Sequence, residues 1–440
     1  MRGHSHSIVA CLGAVLFIVG CATTTMQKPA LTPEQRQLNI ASFEYVWATI
    51  RDKHYDPTFG GLDWQAVHDE LRPKVENART MSGARRAMRE MIDRLGLTHF
   101  GIIPAKVYEA MDSPAEKGSG GGITGMSIRI IDGKPLVTRV EKGSPAAVAG
   151  VKTGWEIVRI REDSVSAKLR QVAEEFEGKP LKNLALTAAV QSRLTGSIGD
   201  SVAVGFLDGR DRAVDLNVSL VEKKGRRYKL GHMPTSYIWT EVDTLDGNIG
   251  YIAFNAFMDP MNVMPTFNNA MKTFMDARGL IIDLRGNPGG IGAMAIGMAG
   301  WLIPEKNRYL GTMSLRNNEL KFIVNPRATV YTGPLAVLVD GLSTSCSEIF
   351  SGGLKDLGRA RIFGARTGGA ALPSMIEKLP NGDGFQYAFA NYRSESGKVL
   401  EGAGVVPDIE ILPTRAALLL GRDLVLETAA SWIQAQTQGK

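Results

Sequence analysis

The chain has 440 residues, 44% of them hydrophobic and 22% charged, with a formal net charge of +6. That balance excludes a disordered or collagen-like chain, and the length predicts two or three globular domains. The charge is modest for the length and no run of Lys or Arg forms a basic stripe, so no nucleic-acid partner is inferred.

The first residues read as a targeting segment. Arg2 gives a positive start, and residues 8–20 form an apolar run too short to span a bilayer, so 1–20 is expected to be a signal peptide. Ile18-Val19-Gly20-Cys21 resembles the lipobox of bacterial lipoproteins, with Val19 where a small residue is usual. The resemblance implies cleavage before Cys21, lipidation of its sulfur, and tethering in the cell envelope. With Ala22 next, it points to the outer membrane, facing the periplasm. A plain secreted protein is the other reading. Residues 21–31 are short, polar and Pro-containing, as a tether is. Of three cysteines, Cys11 would leave with the signal and Cys21 would carry lipid. Only Cys346 remains, so no internal disulfide is expected.

Residues 32–113 read as a helical domain. Thr32, Pro33 and Gln35 form a capping box with Pro at the first helical position. Leu38, Ile40, Phe43, Val46, Trp47 and Ile50 recur at helical spacing. A second helix is expected over 64–75 and a third from Ser82. The third ends before Thr98-His99. A lone His there is more often packed or exposed than catalytic.

Residues 117–225 change character. Gly118 to Gly122 is backbone-permissive. Alternating Met126, Ile128 and Ile130 precede an Asp132-Gly133 turn. Gly143-Ser144-Pro145-Ala146 and Gly154 with Ile157-Val158 follow. This order resembles a PDZ domain of the bacterial protease type, with Trp155 in place of an Asp and residues 173–199 read as an insertion. The resemblance implies capture of a peptide C-terminus by strand addition, with backbone N–H groups of Gly121, Gly122, Ile123 and Thr124 receiving the carboxylate.

From 228 to 440, strands and helices alternate, the pattern of an α/β core. Strands are expected over 249–254, 280–284 and 336–339, and helices over 263–277, 293–302 and from Ser345 on. The Gly-rich turn 285–290 is no phosphate loop, because no Gly-Lys-Ser/Thr follows. The last strand-to-helix turn is Ser343-Thr344-Ser345-Cys346-Ser347-Glu348. Such a turn presents a hydroxyl beside the first N–H groups of a helix, which is what acyl transfer needs. Ser345-x-x-Glu348 also fits a plain capping box.

Asp283 to Gly290, Ser343 to Asp356 and Glu401 to Asp408, in that order behind a PDZ-like segment, resemble the tail-specific, or C-terminal processing, serine peptidases. The resemblance implies a crotonase-like core of ββα units in a spiral, with an N-terminal helical unit and an inserted PDZ β-barrel. It makes Ser345 the nucleophile, and the N–H groups of Cys346 and of Gly290 or Gly289 the oxyanion hole. Other members use a Lys about 25 residues past the Ser as general base; here that place is Ala370, which cannot take a proton. The tricorn-like branch takes its base from a His in the helical region, with a hydroxyl residue before it and a Glu near the last motif. Thr98, His99 and Glu401 stand in the matching places, with Thr98 for Ser and Leu97 for a polar residue.

The expected protein is therefore a Ser/His endopeptidase with protein or peptide substrates, no cofactor and no metal; its oligomeric state is open. The competing expectation is a catalytically inactive relative serving as an envelope ligand carrier or PDZ scaffold. The 17 Met residues, among them Met258 to Met264, would suit a carrier and suit core filling better. With His99 as base, activity is expected to rise between about pH 6 and 8, near the reference pKa of about 6.5.

Overall fold

Thr32 opens the first helix as expected. Its hydroxyl takes the Gln35 N–H at 3.1 Å while the Gln35 side chain takes the Thr32 N–H at 3.0 Å. The computed structural model describes residues 30–112, 118, 120–178 and 181–437. The signal segment 1–20, Cys21 and most of the tether lie outside the described residues. Helices Pro33–Lys53, Trp64–Glu76 and Met81–Asp93 pack on Phe43, Val46, Trp64, Leu71, Met88 and Met91. The third helix starts one residue before the expected Ser82, because Thr80 caps it.

The helical unit does not close on itself. Its core also contains Leu379, Phe385 and Tyr387. The strand Gly101–Ile103, directly after His99, pairs antiparallel with Gly384–Ala388. The segment 98–103 is thus held by a hairpin far along the chain. Arg85 clamps the same place. Its guanidinium reaches both oxygens of the wholly buried Asp383 at 2.8 and 2.7 Å, and Asp383 also accepts the Ala105 N–H at 2.9 Å. Arg85→Ala leaves that carboxylate buried without its cation. A loss of about 3 kcal/mol is expected, read as a lower urea midpoint at unchanged slope; an unchanged midpoint would count against the clamp.

Residues 120–221 form a separate β unit with the order Met126–Ile131, Lys134–Val140, Glu156–Ile160, Ser201–Leu207, Ala213–Ser219, each antiparallel to the next. Asp132 and Gly133 both have positive φ, as the expected two-residue turn requires. The segment 173–199, read as an insertion, packs into this unit rather than standing apart from it. Helices Val165–Glu175 and Lys182–Gln191 supply Leu169, Val172, Ala185, Leu186 and Val190 to the core of this unit.

The remaining chain builds a six-stranded sheet in the order Thr240–Leu245, Ile249–Phe254, Gly279–Asp283, Leu335–Val339, Arg361–Gly364, Ile409–Glu410. Only the first pair is antiparallel. Both faces are covered, which is why these strands read as unbroken apolar runs. Leu280, Ile282, Leu335 and Val337 meet helices Pro260–Thr273, Gly292–Ala299 and Cys346–Asp356. Ile281, Ala336 and Leu338 meet Val425, Ala429 and Ile433 of the helix Leu424–Thr437. The helix expected over 263–277 lies earlier, at 260–273, since Pro260 sits at its first turn. Met258, Met271, Met294 and Met298 are buried core fillers, while Met261 lies on the surface.

Candidate active site

The strands Gly279–Asp283 and Leu335–Val339 are parallel neighbours, so the turns that follow them leave the same edge of the sheet side by side. Small polar residues sew the two turns together. The Ser343 hydroxyl donates to the Leu284 carbonyl at 2.7 Å. The Thr344 N–H and hydroxyl donate to the Asn287 and Pro288 carbonyls at 3.2 and 3.1 Å. The Ser347 hydroxyl lies 2.9 Å from the Asn287 carbonyl and 3.0 Å from Asn287 Oδ1. Asp340 takes the Gly286 and Leu342 N–H groups at 2.8 and 3.0 Å and the Arg129 Nε of the β unit at 2.7 Å. All these groups satisfy buried polar atoms that would otherwise be costly.

Ser345 stands at the tip of the second turn, with φ +54° and ψ −119°. An ordinary helix cap is extended; a non-glycine residue held at this angle costs roughly 1–3 kcal/mol and needs its surroundings to enforce it. The Ser345 N–H is gripped by the Ala370 carbonyl at 2.6 Å and Glu348 Oε2 at 3.0 Å. The capping geometry with Glu348 is present, yet it does not describe this backbone.

The neighbouring turn approaches closely. A Cβ on Gly289 would lie 2.8 Å from Ser345 Cβ and 2.6 Å from the Cys346 nitrogen, so only glycine fits. The two glycines named from the sequence differ in what their N–H groups do. That of Gly289 is spent on Asn287 Oδ1 at 2.9 Å. Those of Gly290 and Cys346 make no hydrogen bond among the described residues. Cys346 itself is buried, and burial pushes its thiol well up.

Thr98, His99 and Glu401 come together from opposite ends of the chain. Glu401 accepts the Thr98 N–H at 2.8 Å, the Thr98 hydroxyl at 3.0 Å and the Ala371 N–H at 3.1 Å. His99 Nδ1 lies 2.9 Å from the same hydroxyl. That hydroxyl has one proton, and an ionised Glu401 can only accept it. Thr98 Oγ1 must then accept from His99 Nδ1–H, which leaves Nε2 with its lone pair; the tautomer follows from the network. His99 is buried, with φ +60°. Burial pushes its pKa down to about 4 and raises that of Glu401. Among the described residues no direct hydrogen bond joins the Ser345 hydroxyl to His99; residues 370–371 link the two groups.

On the β unit, Gly122 and Ile123 cannot serve as expected. Their N–H groups donate to the Gly196 and Val221 carbonyls at 2.9 and 2.8 Å. Those of Thr124 and Gly125 make no hydrogen bond among the described residues. Sequence reasoning also passed over Asn287, Thr367 and the full role of Glu348. Thr367 gave no signal of its own, while Glu348 was visible only as a capping partner.

A hydroxyl on a strained strand-to-helix turn, two N–H groups beside it without a partner among the described residues, and an imidazole linked to the same ribbon are the groups that serine-hydrolase chemistry uses. Residues 248–411 match peptidase family S41, and residues 41–93 match the tricorn protease C1 domain. The chain is 27% identical over 374 residues to carboxyl-terminal-processing peptidase 3, chloroplastic, of Arabidopsis thaliana, covering 83% of this chain and 67% of that one. It is 23% identical over 358 residues to the carboxy-terminal processing protease CtpA of Bacillus subtilis, covering 81% and 69%. The fold is that of the photosystem II D1 C-terminal processing protease, at TM-score 0.55, 21% identity and coverage of 87% and 94%. Mature CPAF superposes at TM-score 0.61 with 14% identity, covering 92% and 97%. The segment 248–411, which holds the six-stranded sheet and the Ser345 turn, is thus similar to the S41 serine peptidases. The matched core includes Gly289, Gly290, Ser345 and Glu401, and the other matched segment ends six residues before His99.

Proposed function

We propose that the protein is an endopeptidase that cleaves protein or peptide chains through an acyl-enzyme on Ser345, with His99 as general base, in the manner of the tricorn-like branch. Ser345 Oγ attacks the scissile carbonyl carbon and its proton passes to His99 Nε2. The carbonyl oxygen becomes an oxyanion, received by the Cys346 and Gly290 N–H groups. His99 then gives the proton to the departing amine, and water repeats the sequence to release the acid. Thr98 and Glu401 orient the imidazole and balance its charge as the proton arrives. The observation that carries this reading is the commitment of the single Thr98 proton to Glu401, which leaves His99 Nε2 as acceptor although the Lys of other members is absent.

The β unit is proposed to be the PDZ-type domain that captures substrate C-termini, with the carboxylate on Thr124 and Gly125 rather than on Gly122 and Ile123. Lipidation of Cys21, placing the enzyme at the outer membrane, belongs to the same reading and rests on residues 18–21 alone.

The test is covalent. A serine-directed fluorophosphonate should label the protein at Ser345, located by peptide mass spectrometry, and the protein should degrade unfolded casein. Absence of both would sink the reading in favour of a carrier.

A further inference from the structure

Glu348 does more than cap a helix. A capping box needs one oxygen and one N–H. Here the side chain is wholly buried and four donors converge on it. Oε1 takes the Thr367 hydroxyl at 2.6 Å and the Gly369 N–H at 2.8 Å. Oε2 takes the Ala370 N–H at 2.9 Å and the Ser345 N–H at 3.0 Å. The Thr367 hydroxyl in turn accepts the Val405 N–H at 2.6 Å, so its own proton is free to go to Glu348. Every neighbour gives a hydrogen bond and none receives one.

The next N–H along the chain, that of Ala371, goes instead to Glu401 at 3.1 Å. Two carboxylates, the wholly buried Glu348 and the half-buried Glu401, therefore hold one ribbon, residues 369–371. One grips it from the side of Ser345, the other from the side of Thr98 and His99. A hydrogen-bonded path runs from the Ser345 N–H through Glu348, the ribbon, Glu401 and Thr98 to His99.

We propose that Glu348 is a positioning residue that fixes the ribbon 369–371 against the strained Ser345 turn, and so sets where the Glu401–Thr98–His99 chain stands relative to the nucleophile. It touches no substrate atom. The proposal rests on Ser345 and His99 being the reacting pair.

A carboxamide is a poor substitute in a shell made only of donors. Its NH2 group would face N–H groups, and at least one grip on the ribbon must open. The volume is unchanged, so the core need not collapse. Loss of register between two reacting groups acts on the chemical step, and a shift of about 1 Å costs on the order of 100-fold.

The experiment compares the full chain with Glu348→Gln and Ser345→Ala. It measures kcat and KM on an unfolded peptide, the rate of fluorophosphonate labelling, and near-UV circular dichroism. For folded Glu348→Gln, kcat and the labelling rate are expected to fall together about 100-fold with KM within about twofold. Wild-type kcat and labelling in the folded variant would overturn the proposal, as would a change confined to KM. If Glu348→Gln fails to fold, Thr367→Val removes one of the four donors to Glu348, together with the acceptor of the Val405 N–H. It should lower kcat about 10-fold at constant KM, and an unchanged kcat overturns the idea equally. If wild type is neither cleaving nor labelled, or Ser345→Ala cleaves like wild type, the catalytic reading falls and takes the role of Glu348 with it. Only in that case does the failure appear without any change at Glu348.

Discussion

Ser345→Ala and His99→Ala are each expected to lower kcat/KM at pH 7 by about 10⁴-fold or more, and the double variant should be no worse than either single one. In the proposed mechanism the two residues carry one event, transfer of the Ser345 proton as the new bond forms. Removing either partner removes that event, so the second loss finds nothing left to take away. The residue of activity comes from substrate binding and the two free N–H groups, which both variants keep. Additive losses would show that the residues act in separate steps and that the base lies elsewhere.

The pH behaviour distinguishes His99 further. A base must be neutral, and a histidine is neutral above its pKa. The sequence alone puts the rise in activity between about pH 6 and 8, at the ordinary histidine value. Burial moves His99 down to about 4, so its limb should lie near pH 4 and His99 is already competent at neutral pH. A limb near 7 would instead belong to Glu348, which burial pushes up to about 7 against its four hydrogen bonds, and it should vanish in Glu348→Gln. Stability follows with a definite sign. The unfolded chain protonates His99 first as the pH falls through about 6.5, so this contribution is whole above that value. It is lost on the way down to about 4, to the extent of about 3 kcal/mol. Urea midpoints taken at pH 7 and 4.5 should differ less in His99→Gln than in wild type.

What could be read from the residues and what could not divides along local and distant determinants. Val337, Leu338 and Val339 announce a buried strand, and Ile349, Phe350 and Leu354 a helix, so the turn bearing Ser345 was legible. The roles of His99 and Glu401 came only from the family resemblance, because nothing local distinguishes His99 from a packed histidine. Its φ of +60° and its burial are imposed by the pairing of Gly101–Ile103 with Gly384–Ala388, and no pattern near His99 encodes that partner. The same limit explains the ligand loop. Which of the N–H groups over 121–125 stay free depends on Gly196 and Val221, which arrive from the far side of the β unit. Helical periodicity over 165–175 and 182–191 was present but does not say which core a helix joins. Glu348 was visible as a capping partner, yet three of its four donors come from Thr367, Gly369 and Ala370, and no spacing rule points to them.

Gly290→Ala should be the second most damaging change, lowering kcat about 10³-fold with KM little altered. Gly290 has φ +140°, and a Cβ there would lie 2.2 Å from the Phe257 carbonyl oxygen and 3.1 Å from Met258 Cγ. The obstacle is backbone, so the turn must move. Phe257 is tied on both sides, by its own N–H to the Gly289 carbonyl at 2.8 Å and by its carbonyl to the Ile291 N–H at 2.7 Å. It cannot retreat without breaking those bonds, and Gly290 must yield instead, carrying its N–H away from the nucleophile. The substrate's remote contacts are untouched, which is why KM should hold while the oxyanion loses a donor. Gly289→Ala strikes differently. Its Cβ would meet Ser345 Cβ at 2.8 Å and the Cys346 nitrogen at 2.6 Å, so it displaces the nucleophile turn itself. Fluorophosphonate labelling separates the two failures, since it needs both an aligned hydroxyl and a donor to its P–O oxygen. A Gly290→Ala protein that is folded and labels at the wild-type rate would remove Gly290 from the oxyanion site and leave the Cys346 N–H to act alone.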